Sequence, residues 1–426
     1  MTGLPRVLAI MGSGETAPTM VTAHQNLLAR LPADAQAVLI ETPYGFQENA
    51  GEISERTIDY FRRHVGHDIS AVGPRSATEV HGAAWDAAIA TLQDAAYVFA
   101  GPGSPTYALA QWRGTAFVDV LRAKLRSGGI VTFASAAAVG LGRAAIPVYE
   151  IYKVGQEPTW VPGLDLLAGV GIDAVIPHFD NAEGGTHDTR FCYLGARRLA
   201  VMERQLGAGA VIVGVDEHTA LVLDLDQRTA TVQGRGGVTV RRTGEVVREV
   251  PSGASVALDA LLRRAGPGSA ARPHARTGDR DATAGRDRDG STAAALTLTE
   301  QVARATAAFD AALAARDAEA AVAVVLELEA AIAQWSADTT QSDETDRARG
   351  ALRGLIVRLG RATAEGLRDP AEHIAPLADV VVRTRLALRA RRDYELADLV
   401  RDAAAAAGLE LRDTTEGTTW HLLTER

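Results

Sequence analysis

The stretch VTFASAAAVGLG, residues 131–142, decides the fold class. The apolar run that follows Gly128-Gly129 predicts a short buried β-strand, and the small residues after Ser135 favour the start of a helix. A strand that turns directly into a helix at a serine is typical of α/β hydrolytic proteins, in which the hydroxyl lies at the top of the sheet. Ser135 is therefore either a catalytic nucleophile or part of a small-residue loop, and the rest of the chain has to distinguish the two.

Strand and helix patterns alternate on the N-terminal side of this stretch. Strands are predicted at RVLAIMG (6–12), QAVLIETP (36–43), AAYVFAGPGS (95–104) and IVTFAS (130–135). This order predicts an α/β fold with a mostly parallel, doubly wound sheet whose ligands bind at the carboxyl ends of the strands. From residue 210 onward, five short alternating segments predict an antiparallel β extension of that sheet.

The length of the chain, 426 residues, predicts more than one domain. Residues 266–294 are rich in Gly, Pro, Asp and Arg and nearly free of large apolar side chains, so we expect a flexible linker there. It would separate a domain at 1–265 from a mainly helical domain at 295–426.

Composition excludes several classes of function. The formal net charge of −9 argues against a general attraction to nucleic acid or to anionic membranes. The single cysteine, Cys192, allows neither an intramolecular disulfide nor a cysteine-based zinc site. Because there is no signal-peptide pattern and no apolar run of about 20 residues, we expect a cytoplasmic protein without a membrane span. GSGE (12–15) is a glycine turn and not a dinucleotide fingerprint, so we expect neither a cofactor nor a metal.

A base and an acid are needed to activate Ser135. His178 ends the strand-like run DAVIPHF and is a candidate general base. Glu150 lies between the two in the chain and is a candidate for the acid that orients the imidazole, with Asp180 and Glu217 as alternatives. Each side chain also has an ordinary interpretation, as a packed histidine or a solvated charge.

Other residues are candidates for binding the oxyanion and a substrate carboxylate. The GPGSP turn at 101–105 follows a predicted strand, and Pro102 has no N–H, so the amides of Gly103 and Ala136 are the better donors to a developing oxyanion. Arg190, in THDTRF, could bind a substrate carboxylate through two nitrogens or form a surface ion pair.

The first 265 residues resemble the dipeptidase E/cyanophycinase family of serine peptidases. The resemblance lies in FAGPGSPTYAL, VTFASAAA, GLDLLAGVGIDAVIPHF, the following arginine and VGVDEHTALVLD. It implies a class I glutamine-amidotransferase-like fold and cleavage of peptide bonds next to aspartyl residues. The roles it implies are nucleophile for Ser135, base for His178, orienting acid for Glu150, oxyanion hole for Gly103 and Ala136, and carboxylate contact for Arg190.

The chain departs from the family pattern at the turn itself. The family has glycine two residues before and two residues after the serine, and these positions are Phe133 and Ala137 here. A phenylalanine before the serine is expected to crowd a sharp strand-to-helix turn. The GPGS turn also has Ser104-Pro105 where the family has Asn or Gln, which implies an altered substrate pocket.

Residues 377–422 resemble the C-terminal region of bacterial cysteinyl-tRNA synthetases. An Arg-rich helix, an AD-x-x-R helix and a Gly-Thr-x-Trp segment carry the resemblance. It implies a contact with tRNA, whereas the synthetase's catalytic half and zinc cysteines are absent, so we do not expect aminoacylation. The alternative is that these arginines pair with nearby aspartates in a structural helix pair.

These observations predict a serine-type hydrolase, a peptidase or amidase, acting on a small peptide or amide, with an aspartyl peptide as one option. The alternative is a peptidase-like binding protein that has lost catalysis and whose C-terminal module contacts tRNA or a protein partner. Glutamine amidotransfer is disfavoured, because that chemistry uses a cysteine nucleophile and Cys192 is not at the turn. The oligomeric state is left open, a homo-oligomer included.

Overall fold

The structure is a computed structural model, and it describes residues 3–73, 75–76, 82–184, 187–263, 296–335, 344–364, 370–414 and 417–423. The chain divides into two compact units. The first comprises Met1–Thr297 and Gln334–Thr345, and the second comprises Leu298–Ala333 and Asp346–Arg426. The linker predicted at 266–294 lies outside the described residues.

The first unit contains both strands and helices. Its strands are β1 Arg6–Met11, β2 Ala37–Ile40, β3 Ser70–Val72, β4 Tyr97–Ala100, β5 Gly129–Ala134, β6 Ala144–Ala145, β7 Val161–Pro162, β8 Ala174–Ile176, β9 Val211–Val215, β10 Thr219–Asp224, β11 Thr229–Gly234, β12 Gly237–Arg242, β13 Glu245–Pro251 and β14 Ser255–Ala257. Its helices are α1 Val21–Leu28, α2 Ala50–Tyr60, α3 Ala83–Asp94, α4 Pro105–Trp112, α5 Ala116–Ser127, α6 Ser135–Val139, α7 Val148–Tyr152, α8 Gly195–Leu206 and α9 Leu258–Leu261.

The main sheet has the strand order β14-β11-β10-β1-β5-β4-β2-β3. The five strands from β1 to β3 in this order run parallel, and β10, β11 and β14 add an antiparallel side. The prediction of an α/β fold with a mostly parallel sheet and an antiparallel extension is therefore confirmed.

The alternating pattern predicts that the strands after residue 210 all extend the main sheet, but three of them do not. β9, β12 and β13 combine with β8 in a second sheet of order β13-β12-β9-β8. The reason is the crossover through α8, which places β9 parallel to β8, with Ile176 opposite Gly214. β12 then pairs with the free edge of β9.

The hydrophobic core lies on both faces of the main sheet, which explains why its parallel strands are continuous apolar runs. All six residues of β5 are buried. Its side chains alternate between the faces: Phe133 packs on one with Ile10, and Ala134 on the other with Met11. Because Met11 and Ala134 are register partners, β1 and β5 end side by side.

The second unit is mainly helical and ends in a hairpin. Its elements are α10 Leu298–Ala314, α11 Ala318–Gln334, α12 Glu344–Ala364, α13 Pro370–Ala390, α14 Tyr394–Ala406, β15 Leu409–Thr414 and β16 Gly417–Leu422, except that Gln334, Glu344 and Thr345 at the ends of α11 and α12 belong to the first unit. α13 begins at Pro370 and continues through Pro376. Proline is favoured at the first helical position, where the missing N–H has no intrahelical role.

Within the described residues, no helix has the length and apolar character needed to cross a membrane. The same residues contain no cluster of three or more His, Cys, Asp or Glu side chains placed to hold a metal ion.

Candidate active site

Ser135 lies on a sharp strand-to-helix turn. β5 ends at Ala134 and α6 begins at Ser135, whose φ of +47° is in the left-handed region. Such a conformation costs a non-glycine residue about 1–3 kcal/mol and is found where the surrounding structure holds it for function. The first turn of α6 is fixed by a hydrogen bond of 3.2 Å from Ala137 N to Gly101 O, just beyond β4. The turn has the form of a nucleophile elbow.

Phe133 does not crowd this turn. Its side chain is fully buried in the core, with a ring centroid 5.7 Å from that of Trp112. Ala137 is also fully buried, and its small side chain fits the first turn of α6. The crowding expected from the sequence is thus absent, because the strand directs the Phe133 ring into the hydrophobic core.

A chain of hydrogen bonds runs from Ser135 to a carboxylate. Ser135 Oγ lies 2.9 Å from His178 Nε2, and His178 Nδ1 lies 2.8 Å from Glu217 Oε1. Asn181 Nδ2 donates to the same carboxylate oxygen at 3.0 Å. The arrangement is that of a Ser–His–acid triad with a side-chain amide supporting the acid.

The ends of three strands bring these side chains together. His178 N donates to Gly12 O at 3.2 Å, so the second residue after β8 lies against the first residue after β1, beside Ser135. Gly12 is required by close packing, because a Cβ atom there would lie 2.0 Å from Asp216 O. Since β8 and β9 are parallel neighbours, His178 and Glu217 leave the second sheet at the same edge.

Burial raises the pKa of Glu217. The hydrogen bond and charge of His178 and the hydrogen bond from Asn181 lower it by more, so the pKa of Glu217 lies below its ordinary value. Glu217 is therefore a carboxylate at neutral pH. An acceptor at Nδ1 requires His178 to carry its proton there, which leaves Nε2 to accept the Ser135 hydroxyl proton.

Two further carboxyl groups lie behind Glu217. Asp180 Oδ1 accepts the backbone N–H of Glu217 at 2.7 Å, and Asp216 Oδ2 accepts that of Gly237 at 2.7 Å. Burial raises the pKa of Asp180, and burial with the charge of Asp180 raises the pKa of Asp216 to about 7. Through these hydrogen bonds they support the backbone near the triad.

Glu150, the acid that the sequence favoured, has a different partner. Its Oε1 accepts a hydrogen bond of 2.8 Å from Thr106 Oγ1, whereas the His178 Nδ1 atom is bonded to Glu217. The orienting acid in this geometry is therefore Glu217, which the sequence gave as an alternative. Glu217 follows the apolar run AVIVGV (210–215), which the sequence predicted as a strand, but the pairing of this strand, β9, with β8 is seen only in the structure.

The two oxyanion-hole candidates lie on adjacent turns. Gly103 has a φ of +139°, and a Cβ atom there would lie 2.0 Å from Pro43 O, so the turn requires glycine. Ala136 is the second residue of α6, and an N–H in the first turn of a helix has no acceptor within the helix.

Arg190 is held in a surface ion pair. Its Nε and Nη2 atoms donate to the two carboxylate oxygens of Asp188 at 2.8 and 3.0 Å. The hydrogen bonds from Arg190 lower the pKa of Asp188, which also accepts the N–H of Ala196. Of the two sequence interpretations of Arg190, the structure contains the ion pair.

Space beside the triad is small. A cavity of about 20 Å³, roughly the room for one water molecule, is lined by His178, Glu183, Glu217, His218 and Trp335, among others. Trp335 belongs to the segment Gln334–Thr345 of the first unit, is buried, and meets the His218 ring edge to face at 5.7 Å. The indole therefore restricts access to this side of the triad.

Cys192 is fully buried beneath the histidine, and its N–H donates to His178 O at 3.1 Å. Burial raises the pKa of its thiol, so it does not supply a thiolate nucleophile.

Comparisons with known proteins give partial similarities. No protein-family model matches the chain. Over its N-terminal part it is similar to the solved structure of a peptidase from an acI-B1 actinobacterium, with 20% identity, 60% of this chain and 98% of that chain covered, and a TM-score of 0.49. It is also similar to the solved structure of a putative peptidase E protein from Listeria monocytogenes. The identity is 14%, the match covers 56% of this chain and 98% of that chain, and the TM-score is 0.36.

The curated proteins with similar sequences are cysteine–tRNA ligases. The ligase of Geobacter metallireducens is 36% identical over 85 residues, which is 18% of this chain and 18% of that enzyme. The ligase of Frankia casuarinae is 58% identical over 43 residues, which is 10% of this chain and 8% of that enzyme. The chain thus spans less than a fifth of the length of these relatives.

Proposed function

We propose that the first unit is a serine-type hydrolase that cleaves a small peptide or amide through Ser135, His178 and Glu217. The observation that carries the proposal is the hydrogen-bonded chain from Ser135 Oγ through His178 to Glu217, starting at a left-handed turn between β5 and α6. A serine needs an adjacent oriented base to become a nucleophile, and this chain supplies one.

In the proposed reaction, Ser135 Oγ attacks the substrate carbonyl while its proton passes to His178 Nε2. Glu217 stabilises the imidazolium that forms, and the N–H groups of Gly103 and Ala136 stabilise the oxyanion. Collapse of the tetrahedral intermediate breaks the C–N bond, and His178 returns the proton to the departing amine. Water then hydrolyses the acyl-enzyme by the same steps and regenerates Ser135.

An aspartyl peptide is the substrate that the family resemblance suggests. Its carboxylate would either bind Arg190 through Nη1 or displace Asp188, because Arg190 Nε and Nη2 already donate to the two carboxylate oxygens of Asp188. A cytoplasmic location, where a lone cysteine stays reduced, also belongs to the proposal.

Burst kinetics test the proposal. The full-length chain mixed with a small 4-nitrophenyl ester should release one equivalent of nitrophenol in a rapid burst as the acyl-enzyme forms. The Ser135→Ala variant should show neither the burst nor turnover above the uncatalysed rate. Equal turnover by both proteins would contradict the assignment of Ser135.

A contact between the second unit and tRNA is a second candidate function. Its support is the similarity to cysteine–tRNA ligases and the two exposed arginines directly after α13, Arg391 and Arg392, for which the described residues give no ion pair. Other arginines of this unit are paired: Arg385 and Arg389 with Asp413, Arg401 with Asp398 and Asp402, and Arg412 with Glu410.

A gel-shift titration of the full chain with total tRNA tests this candidate at two salt concentrations. Binding should weaken with salt, and the Arg391→Gln/Arg392→Gln variant should bind less tightly than an Arg353→Gln/Arg361→Gln control of equal charge. Absence of salt-sensitive binding, or equal loss in both variants, would contradict it.

A further inference from the structure

We propose that Glu41 is a positioning residue for the oxyanion hole. Its carboxylate fixes the short 3₁₀ turn Thr42–Tyr44, and this turn holds the oxyanion turn, residues 101–104, in place. The inference rests on the proposed hydrolase function, and it gives a buried carboxylate outside the triad a role in that reaction.

Glu41 and the oxyanion turn follow neighbouring strands. β2 and β4 are parallel, with Ile40 opposite Ala100, so Glu41 leaves the sheet beside the start of the 101–104 turn. The turn Thr42–Tyr44 is therefore brought against the oxyanion turn at the carboxyl ends of these strands.

Pro43 makes the contact between the two turns. Its carbonyl oxygen accepts the N–H of Ser104 at 2.8 Å. A Cβ atom on Gly103 would lie 2.0 Å from Pro43 O, so the residue that carries the proposed oxyanion donor lies directly against this carbonyl. A shift of Pro43 would move the Gly103 N–H, and stabilisation of an oxyanion depends on where its donors lie.

Glu41 holds the turn that contains Pro43. Its side chain is only 10% exposed, and Arg75 donates to both of its oxygens, at 2.8 and 3.1 Å. Ser54 Oγ donates to Glu41 Oε1 at 2.5 Å and lies 2.9 Å from the hydroxyl of Tyr44, the last residue of the turn. A bidentate ion pair with a further hydrogen bond fixes both the position and the orientation of the carboxylate.

Arg75 links this network to the other end of the oxyanion turn. Its backbone carbonyl accepts the hydroxyl of Tyr107, in the first turn of α4, and Ser104 is the N-cap of that helix. A Cβ atom on Gly45 would lie 2.3 Å from the same carbonyl oxygen, so the chain that leaves the 3₁₀ turn also packs on Arg75. The Glu41–Arg75 ion pair thus holds the oxyanion turn from both sides.

The preference for an ester over its thionoester tests the inference, because sulfur accepts hydrogen bonds more weakly than oxygen and gains less from the oxyanion hole. The full-length chain is mixed with a 4-nitrophenyl ester or the matching thionoester, and the burst of nitrophenol gives the acylation rate for each. Glu41→Gln should lower the ester-to-thionoester ratio by about tenfold, mainly by slowing the ester reaction. The KM and the pH dependence set by His178 should not change.

Two further variants complete the experiment. Glu52→Gln removes an exposed carboxylate that pairs with Arg56 on α2, and it should keep the wild-type ratio. Arg75→Gln leaves Glu41 hydrogen-bonded to Ser54 and should lower the ratio in the same direction as Glu41→Gln. If Glu41→Gln does not fold, Arg75→Gln decides the question.

An unchanged ratio in the folded variants would overturn the inference and leave the hydrolase proposal intact. Equal slowing of both substrates would also overturn it, because that result indicates a purely structural role for the ion pair. If the wild type shows no burst with either substrate, the hydrolase proposal fails, and this inference fails with it.

Discussion

At the scale of single residues, the site depends on backbone conformations that most side chains avoid. Ser135 and His178 both have a φ of +47°, a left-handed conformation that costs each about 1–3 kcal/mol. The hydrogen bonds from Ala137 N to Gly101 O and from His178 N to Gly12 O hold the two turns in place. The hydroxyl and the imidazole are thus held in a fixed orientation, as the proposed nucleophilic catalysis requires.

Glu217→Gln should lower the rate of Ser135 acylation by about a hundredfold or more, because an amide cannot stabilise the imidazolium and favours the wrong tautomer of His178. The burst rate with the 4-nitrophenyl ester measures this effect. The exposed Glu55→Gln serves as the control of equal charge. A Glu217→Gln variant with the wild-type rate would remove Glu217 from the proposed triad.

Phe133→Ala should lower the free energy of unfolding by about 3–5 kcal/mol, because the ring is fully buried in the core beside Trp112. Urea denaturation measures the loss. If the ring instead blocked the site, the substitution would be nearly neutral for stability and would speed acylation, and that outcome would contradict the packing described above.

Asp216 should make the protein less stable as pH rises. Its pKa is raised to about 7 in the folded state by burial and the charge of Asp180, so the folded state binds the proton more tightly than the unfolded chain. The stability of the wild type should thus fall between about pH 4 and pH 7 through this group.

Asp216→Asn removes that titration while Oδ1 can still accept the Gly237 N–H. We compare the unfolding free energy of the variant with that of wild type at each pH. This difference should favour the variant by on the order of 2 kcal/mol more at pH 8 than at pH 5. Urea denaturation at the two pH values measures the difference, with the exposed Asp34→Asn as the control. A gain independent of pH would show that Asp216 is ionised across this range.

At the scale of elements, local pattern predicted β1, β2, β4 and β5 because each is a buried apolar run. It did not predict the short edge strand β3, which is mostly exposed. It did not separate β9, β12 and β13 from the main sheet. That division depends on the crossover through α8, and strand partners cannot be derived from alternation within one strand.

Trp335→Ala should speed fluorophosphonate labelling of Ser135 about tenfold, because the indole forms one wall of the cavity of about 20 Å³ beside His178. Trp335→Phe, which keeps a ring against His218, should stay near the wild-type rate. Equal rates in all three proteins would show that this wall does not limit access to the triad.

At the scale of the whole molecule, the order of residues along the chain is a poor guide to the site. Ser135 and His178, which the structure joins by a hydrogen bond, were candidates from the sequence because each follows a recognisable strand, whereas Glu150 was favoured for its position between them. Glu217, and not Glu150, is bonded to His178 because β8 and β9 are parallel neighbours. Which strands are neighbours is a property of the topology. Arg190 was expected to face substrate, but Asp188, two residues away, satisfies it locally.

The two units bear similarity to different classes of protein, each over part of the chain. The triad lies entirely within the first unit, and the carboxylate-paired arginines of α13 and β15 lie within the second. The proposals for the two units can therefore fail or succeed separately.

The most direct measurement is labelling of the full-length chain with an uncharged alkyl fluorophosphonate, followed by mapping of the adduct by mass spectrometry. A Ser135 activated by His178 should carry the adduct, and the Ser135→Ala variant should remain unlabelled under the same conditions. Labelling that persists in Ser135→Ala, or a wild-type protein that never reacts at Ser135, would contradict the central claim that this serine is a nucleophile.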